Sequence, residues 1–167
     1  MKILVVADWH REIYAEALYN AFNELGHETF KFSWKEYFKH CQYAKSYNVK
    51  CNKVQSFYYR FQNRFTFGPV LNKINKDLIA SVNKIKPDLI FVYRGTHIYP
   101  KTFKILRQIS SAKIYGYNND DPFSKSYPTH FWRHFKNSLP FYHHIFSFRH
   151  KNILDYKEIG ITNTSLL

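Results

Sequence analysis

Residues 2–7, Lys-Ile-Leu-Val-Val-Ala, form an unbroken apolar run at the very start of the chain. Nothing constrains the fold more. A short continuous run of this kind marks a strand buried on both faces, the interior of a parallel sheet covered by helices. After the polar turn Asp8-Trp9-His10-Arg11, residues Tyr14, Ala17, Leu18, Ala21, Phe22 and Leu25 recur at spacings of three and four, and Gly26 stops the pattern. That is an amphipathic helix with a glycine C-terminal signal. Residues 27–32 then alternate as a short strand, which makes the opening a strand–helix–strand unit with a crossover long enough for parallel pairing.

The unit repeats. Leu71, Ile74, Leu78, Val82 and Ile85 make a helical stripe ending before Pro87, and residues 88–94 read as a second buried strand. Pro100 opens a helix carrying Phe103, Leu106 and Ile109, followed by a strand over 112–118. A short helix around 129–137, a strand over 144–149, a helix over 151–159 closed by Gly160 and a strand beginning at 163 complete the pattern. The expectation is α/β: a Rossmann-like open parallel sheet with helices on both faces, in one domain spanning 1–167. A strand-like end at Leu167 also suggests a domain cut from a longer polypeptide.

Composition narrows the classes. Among 167 residues, 16 Phe, 14 Tyr and 3 Trp are too much apolar bulk for a solvated coil. No window approaches the length of a membrane span, and the N-terminal apolar run is too short for a secretory leader, so a cytoplasmic protein is expected. Cys41 and Cys51 stand ten apart with no second ligand pair, and they read as incidental reduced thiols. The formal charge is +13, and residues 31–86 hold twelve Lys/Arg against Glu36 and Asp77, so ten of the thirteen positive charges in excess lie there. Such a patch concentrates phosphates or anionic lipid.

Residues around 37–67 interrupt the alternation as a basic aromatic helical insertion: ten aromatics, six Lys/Arg and no acid. Val54, Phe57, Tyr58, Phe61 and Phe65 share one helical face, with Arg60 and Arg64 on another. This reads as a helix packing its aromatic face on the sheet. The alternative is an interfacial helix making peripheral membrane contact through 53–65, at the inner face of the membrane.

In an open parallel sheet, ligands bind beyond the carboxyl ends of the strands. The loops there are Asp8-Trp9-His10-Arg11, Arg94-Gly95-Thr96-His97, residues 118–124 (Asn-Asn-Asp-Asp-Pro-Phe-Ser) and Arg149-His150-Lys151-Asn152, all dense in charged and hydrogen-bonding groups. The glycine fingerprints of dinucleotide and P-loop binding and the GxSxG elbow are absent. Asn119-Asp120-Asp121 is not a DxD motif, although its adjacent carboxylates could hold Mg²⁺ with help from a substrate phosphate. His130 and His134 lack a third ligand and read as packing residues, so no metal site is assigned.

Residues 91–96 (Phe-Val-Tyr-Arg-Gly-Thr) and 117–124 (Tyr-Asn-Asn-Asp-Asp-Pro-Phe-Ser) make the sequence resemble the N-terminal half of CgeB-like glycosyltransferases, a bacterial group related to the GT-B, family-4 enzymes. The resemblance extends to Asp8-Trp9, to residues 24–27 and 86–90, and to Arg149, Asn152, Tyr156 and Gly160. It implies a two-domain, metal-independent enzyme without cofactor, in which this domain faces the acceptor (a sugar, a lipid-linked glycan or a protein). The nucleotide sugar would be held through a C-terminal donor domain absent here, leaving 1–167 inactive alone.

On that basis Asp120 and Asp121 are the candidate catalytic carboxylates; Asp8, Trp9, His10, Arg94, Thr96, Asn118, Asn119, Arg149 and Asn152 are candidate substrate-binding residues. Where the family-4 pattern often has His-Asp, Asn119-Asp120 stands, which favours Asp120 as the base. A capping role before Pro122 is the structural alternative for both carboxylates. The alternative function is a non-catalytic Rossmann-like module using the basic aromatic segment on nucleic acid or anionic membrane. Under the transferase reading, no nucleic acid partner is expected.

Overall fold

A computed structural model describes residues 1–9, 12–38 and 52–167. The strands are β1 (Lys2–Ala7), β2 (Glu28–Ser33), β3 (Leu89–Tyr93), β4 (Lys113–Asn118), β5 (His144–Ser147) and β6 (Thr164–Leu166). The helices are α1 (Ala17–Glu24), led in by a π turn, α2 (Lys53–Phe65), α3 (Pro69–Ile85), α4 (Pro100–Ile109), α5 (Arg133–Ser138) and α6 (His150–Glu158). All strands are parallel and lie in the order β2-β1-β3-β4-β5-β6.

The central strands behave as their sequences require. Ile3 to Ala7 of β1 and Leu89 to Tyr93 of β3 are buried on both faces. Leu4, Val6, Ile90 and Val92 enter the larger core with Leu71, Ile74 and Leu78 of α3, Phe103 and Leu106 of α4, and Tyr156 of α6. Ile3, Val5, Leu89 and Phe91 face the other way, onto Leu18 and Phe22 of α1. Direction of travel explains the division. Only the β1–α1–β2 crossover runs toward the β2 edge; the later ones run the opposite way, so right-handed crossovers put α1 on one face and the later helices on the other. The expected open α/β sheet with helices on both faces is the fold observed.

Element ends follow local chemistry. Gly26, at φ 79°, closes the helix as its amide donates to the Asn23 carbonyl at 2.9 Å. Helix α2 opens with a capping box: the Asn52 side chain accepts from the Gln55 amide at 2.8 Å, and the Gln55 side chain accepts from the Asn52 amide. Pro69 and Pro100 occupy first turns. The helix expected at 129–137 contracts to Arg133–Ser138, because residues 119–131 form successive turns instead.

One expectation reverses. The aromatic face of α2 does not pack on the sheet. Val54 is 78% exposed and Phe57 69%, while Gln62 is the buried residue of the helix. The reason lies in its neighbours. Gln62 Oε1 accepts the Val70 amide at 2.8 Å, and its Nε2 donates to the Tyr58 carbonyl, so hydrogen bonding rather than apolar burial fixes the inward side. Of the insertion, residues 39–51, including both cysteines, fall outside the described residues.

Candidate active site at the carboxyl edge of the sheet

The carboxyl ends of β1, β2, β3 and β4 open into a cleft of about 740 Å³, roofed by α2. Asp8 follows β1, Trp34 and Lys35 follow β2, and Arg94, Thr96 and His97 follow β3. Pro128, His130 and Phe131 come from the loop after β4. From α2, the rings of Phe57, Phe61 and Phe65 line the cleft together with Arg60, Asn63 and Arg64. The lining is aromatic and cationic, with Asp8 as its carboxylate.

Arg94 organises the polar centre. Its Nη1 lies 3.7 Å from Asp8 Oδ2 and its Nε 3.0 Å from Asp120 Oδ2, so one guanidinium bridges carboxylates from two strand ends. Its head also stands 6.0 Å over the Phe131 ring. Arg94 and Trp9 both hold φ 53°, a left-handed conformation unusual for such residues. Each costs on the order of 1 kcal/mol or more and persists where surrounding packing enforces it, typically at functional loops. Tyr127 extends the array: burial raises its hydroxyl pKa, reinforced by the Asp120 charge and hydrogen bond, and opposed by Arg94 and Arg149. Burial also pulls the Lys35 ammonium below its usual range, with Asp8 opposing.

His97 ties the roof to the sheet. Asn63 Oδ1 can only accept, so the 2.8 Å contact makes Nε2 the protonated nitrogen. Nδ1 then accepts the Thr96 hydroxyl at 2.9 Å. The ring stacks on Trp34 at 3.8 Å between centroids. Fully buried, it has its pKa pushed down to about 3 by desolvation, reinforced by His134 and Arg94 and opposed by a hydrogen bond to the Asn63 backbone.

The other candidate residues fall elsewhere. Asn119 Oδ1 accepts the Tyr93 hydroxyl at 2.9 Å, beside the cleft. Asp121 belongs to a second knot: it accepts from the Phe123 amide at 2.9 Å, Asn152 Nδ2 at 2.7 Å and Lys151 Nζ at 3.2 Å. Burial raises its carboxyl pKa, but these donors outweigh burial and hold it below the ordinary value. Its capping bond closes a turn rather than a helix. Asn118 is buried beneath this knot, with the Tyr156 hydroxyl beside it. Arg149 is exposed at the start of α6. Trp9 turns toward α1, donating to the Phe32 carbonyl at 3.0 Å under the Lys31 ammonium. His10 lies outside the described residues.

Among the described residues no His/Cys/Asp/Glu cluster could hold a metal ion. His134 donates Nε2–H to the Thr66 carbonyl at 2.6 Å, and His130 sits against the Phe65 ring at the cleft. The candidate residues left out Lys35, Asn63 and the three α2 phenylalanines, and held His97 only as part of its strand-end loop; the acid-free aromatic segment was the signal for α2.

No family model and no curated protein matches this sequence. Among solved structures, the chain is similar to UDP-GlcNAc 2-epimerase from Methanocaldococcus jannaschii, with TM-score 0.62 and 11% identity over 99% of this chain and 45% of that one. The same archaeal enzyme in complex with UDP-GlcNAc and UDP gives TM-score 0.61 and 12% identity, over 99% and 46%. The chain thus spans less than half the length of either, and at such identity the likeness is one of fold. It shares the Rossmann-like α/β architecture of that part of the epimerase.

Proposed function

We propose that this domain is the acceptor-side half of a glycosyltransferase that moves a sugar from a nucleotide sugar to an acceptor hydroxyl. The observation carrying the proposal is the Asp8–Arg94–Asp120 array, set where parallel sheets bind ligands: Asp8 and Arg94 line a cleft large enough for a sugar, and Asp120 stands behind Arg94 at 3.0 Å. The fold likeness to an enzyme solved with UDP-GlcNAc supports a nucleotide-sugar substrate.

In this reading the acceptor enters beneath α2. Asp120 takes the hydroxyl proton as the oxygen bonds to the anomeric carbon. The bond from that carbon to the nucleotide diphosphate breaks, and its electron pair leaves with the diphosphate. Arg94 offsets the developing negative charge, so the step calls for no metal. Asp8 and Asp120 together hold the Arg94 head in place. Asp121, occupied by three donors, positions the loop that carries Asp120. A second domain holds the nucleotide.

The test incubates the full-length natural protein with labelled nucleotide sugars and an acceptor mixture, then identifies products by mass spectrometry. Labelled acceptor with release of nucleoside diphosphate supports transfer. An epimerised donor without labelled acceptor replaces the proposal with epimerase chemistry. Neither product refutes a sugar-nucleotide role.

A further inference from the structure

Helix α2 is built inside out. An amphipathic helix docked on a domain ordinarily turns its apolar stripe inward. Here the inward positions are Gln62, 3% exposed, and Asn63, which accepts from buried His97 at 2.8 Å. The stripe of Val54, Phe57 and Phe61 stays out of the core, at 78%, 69% and 39% exposure, with Phe57 and Phe61 at the cleft, and Phe67 continues it at 47%. Phe61 touches the Phe57 and Phe67 rings, with centroids 5.9 and 5.6 Å apart. The capping box and the Gln62 and Asn63 bonds hold the helix in this orientation, so the exposed row is imposed by specific contacts.

Charge identifies the occupant. Lys53, Arg60 and Arg64 are exposed and stand one residue before Val54, Phe61 and the half-buried Phe65, which places a cationic row about 100° around the helix from these rings and Val54. No acidic residue lies between positions 37 and 67. An apolar row flanked by long cationic side chains fits a surface whose interior is hydrocarbon and whose face is anionic. Single-stranded nucleic acid satisfies the cations and one ring face at a time, but leaves Val54 and the ring edges in water.

We infer that α2 seats this domain on an anionic lipid surface, with the Val54–Phe57–Phe61 row in the interface and Lys53, Arg60 and Arg64 on lipid phosphates. Phe57, Phe61, Arg60 and Arg64 also line the cleft, so the seated domain opens its acceptor cleft at the lipid. This last step rests on the sugar-transfer proposal and makes the acceptor a lipid-borne one; the surface contact itself does not.

Cosedimentation with phosphatidylglycerol vesicles, phosphatidylcholine vesicles and a polyuridine competitor tests it. The expected result is binding to phosphatidylglycerol in 0.05 M salt that weakens steeply at higher salt as screening shortens. Replacing Lys53, Arg60 and Arg64 together with Gln should lower binding about a hundredfold, at roughly 1 kcal/mol per charge. Phe57→Ser with Phe61→Ser should abolish it with an unchanged melting midpoint. Absence of binding at low salt, equal binding to both lipids, or loss of vesicle binding to polyuridine overturns the inference. Wild-type binding needs no variant to fold and no sugar donor, so this result and the transfer assay fail independently.

Discussion

Asn63 on α2 accepts the Nε2–H of His97 at 2.8 Å, and this bond joins the roof of the cleft to the loop after β3. The pair sits under Trp34, and the same histidine's carbonyl accepts from Asn75 of α3 at 3.1 Å. Replacing Asn63 with Leu strands the buried Nε2–H. The expected loss is about 1–3 kcal/mol, with looser attachment of α2. Urea unfolding of both proteins measures the first, and amide exchange along 53–65 the second.

His97 also predicts acid sensitivity. Its pKa is pushed down to about 3 in the folded protein, against an ordinary 6.5. Above 6.5 both states hold the ring neutral and stability is at its plateau. Below 6.5 only the unfolded chain takes up the proton, so stability falls by up to ~1.4 kcal/mol per pH unit and levels off near the folded value. Asp121 acts lower: its depressed carboxyl pKa stabilises above the unfolded value of 3.8, and that contribution is lost as pH falls through the folded one. Chemical denaturation from pH 7.5 to 4.5 should show the decline in wild type and a flatter profile in His97→Gln. Equal slopes contradict the assignment.

Much of the fold was legible because central parallel strands advertise themselves. The runs at 2–7 and 88–94 have no polar face, and only a strand covered on both sides tolerates that. The positions of Asp8, Arg94 and Asp120 followed, since strand ends define the ligand edge. Helix α2 was legible as a helix but not in its orientation. Periodicity shows a stripe, yet two polar side chains, Gln62 and Asn63, decided which side faced inward, and their partners Val70 and His97 lie 8 and 34 residues away. Asp121 and Asn152, 31 residues apart, were both selected as site residues; their bond to each other was invisible to local pattern.

Two glycines make sharp packing tests. A Cβ on Gly116 would stand 2.9 Å from Cε1 of the fully buried Tyr142 ring, and one on Gly95 would stand 2.7 Å from its hydroxyl oxygen. Gly116→Ala should destabilise by about 1–3 kcal/mol, because the ring has no free space to enter. Gly68→Ala should do similar damage for two reasons: its φ of 112° suits only glycine, and a Cβ there meets Gln62 Oε1 at 2.6 Å. Thermal unfolding of both variants, with Gly160→Ala as a control whose Cβ meets nothing within 4 Å, separates crowding from the positive-φ cost.

Arg94→Lys keeps the charge but cannot reach Asp8 and Asp120 together through a planar fork. If the bridge orients Asp120 toward the acceptor, turnover should fall about a hundredfold, with folding stability changed by less than about 1 kcal/mol. Steady-state transfer rates beside melting midpoints give the comparison.

The most direct test of sugar transfer at this cleft is the rate of label transfer from nucleotide sugar by the full-length natural protein and by its Asp120→Asn variant, at matched melting temperature. Loss of the general base should lower the rate ~10²–10⁴-fold while the amide still bonds the surrounding donors. A variant as fast as wild type would contradict the role given to Asp120 and the reading of the cleft as the site of transfer.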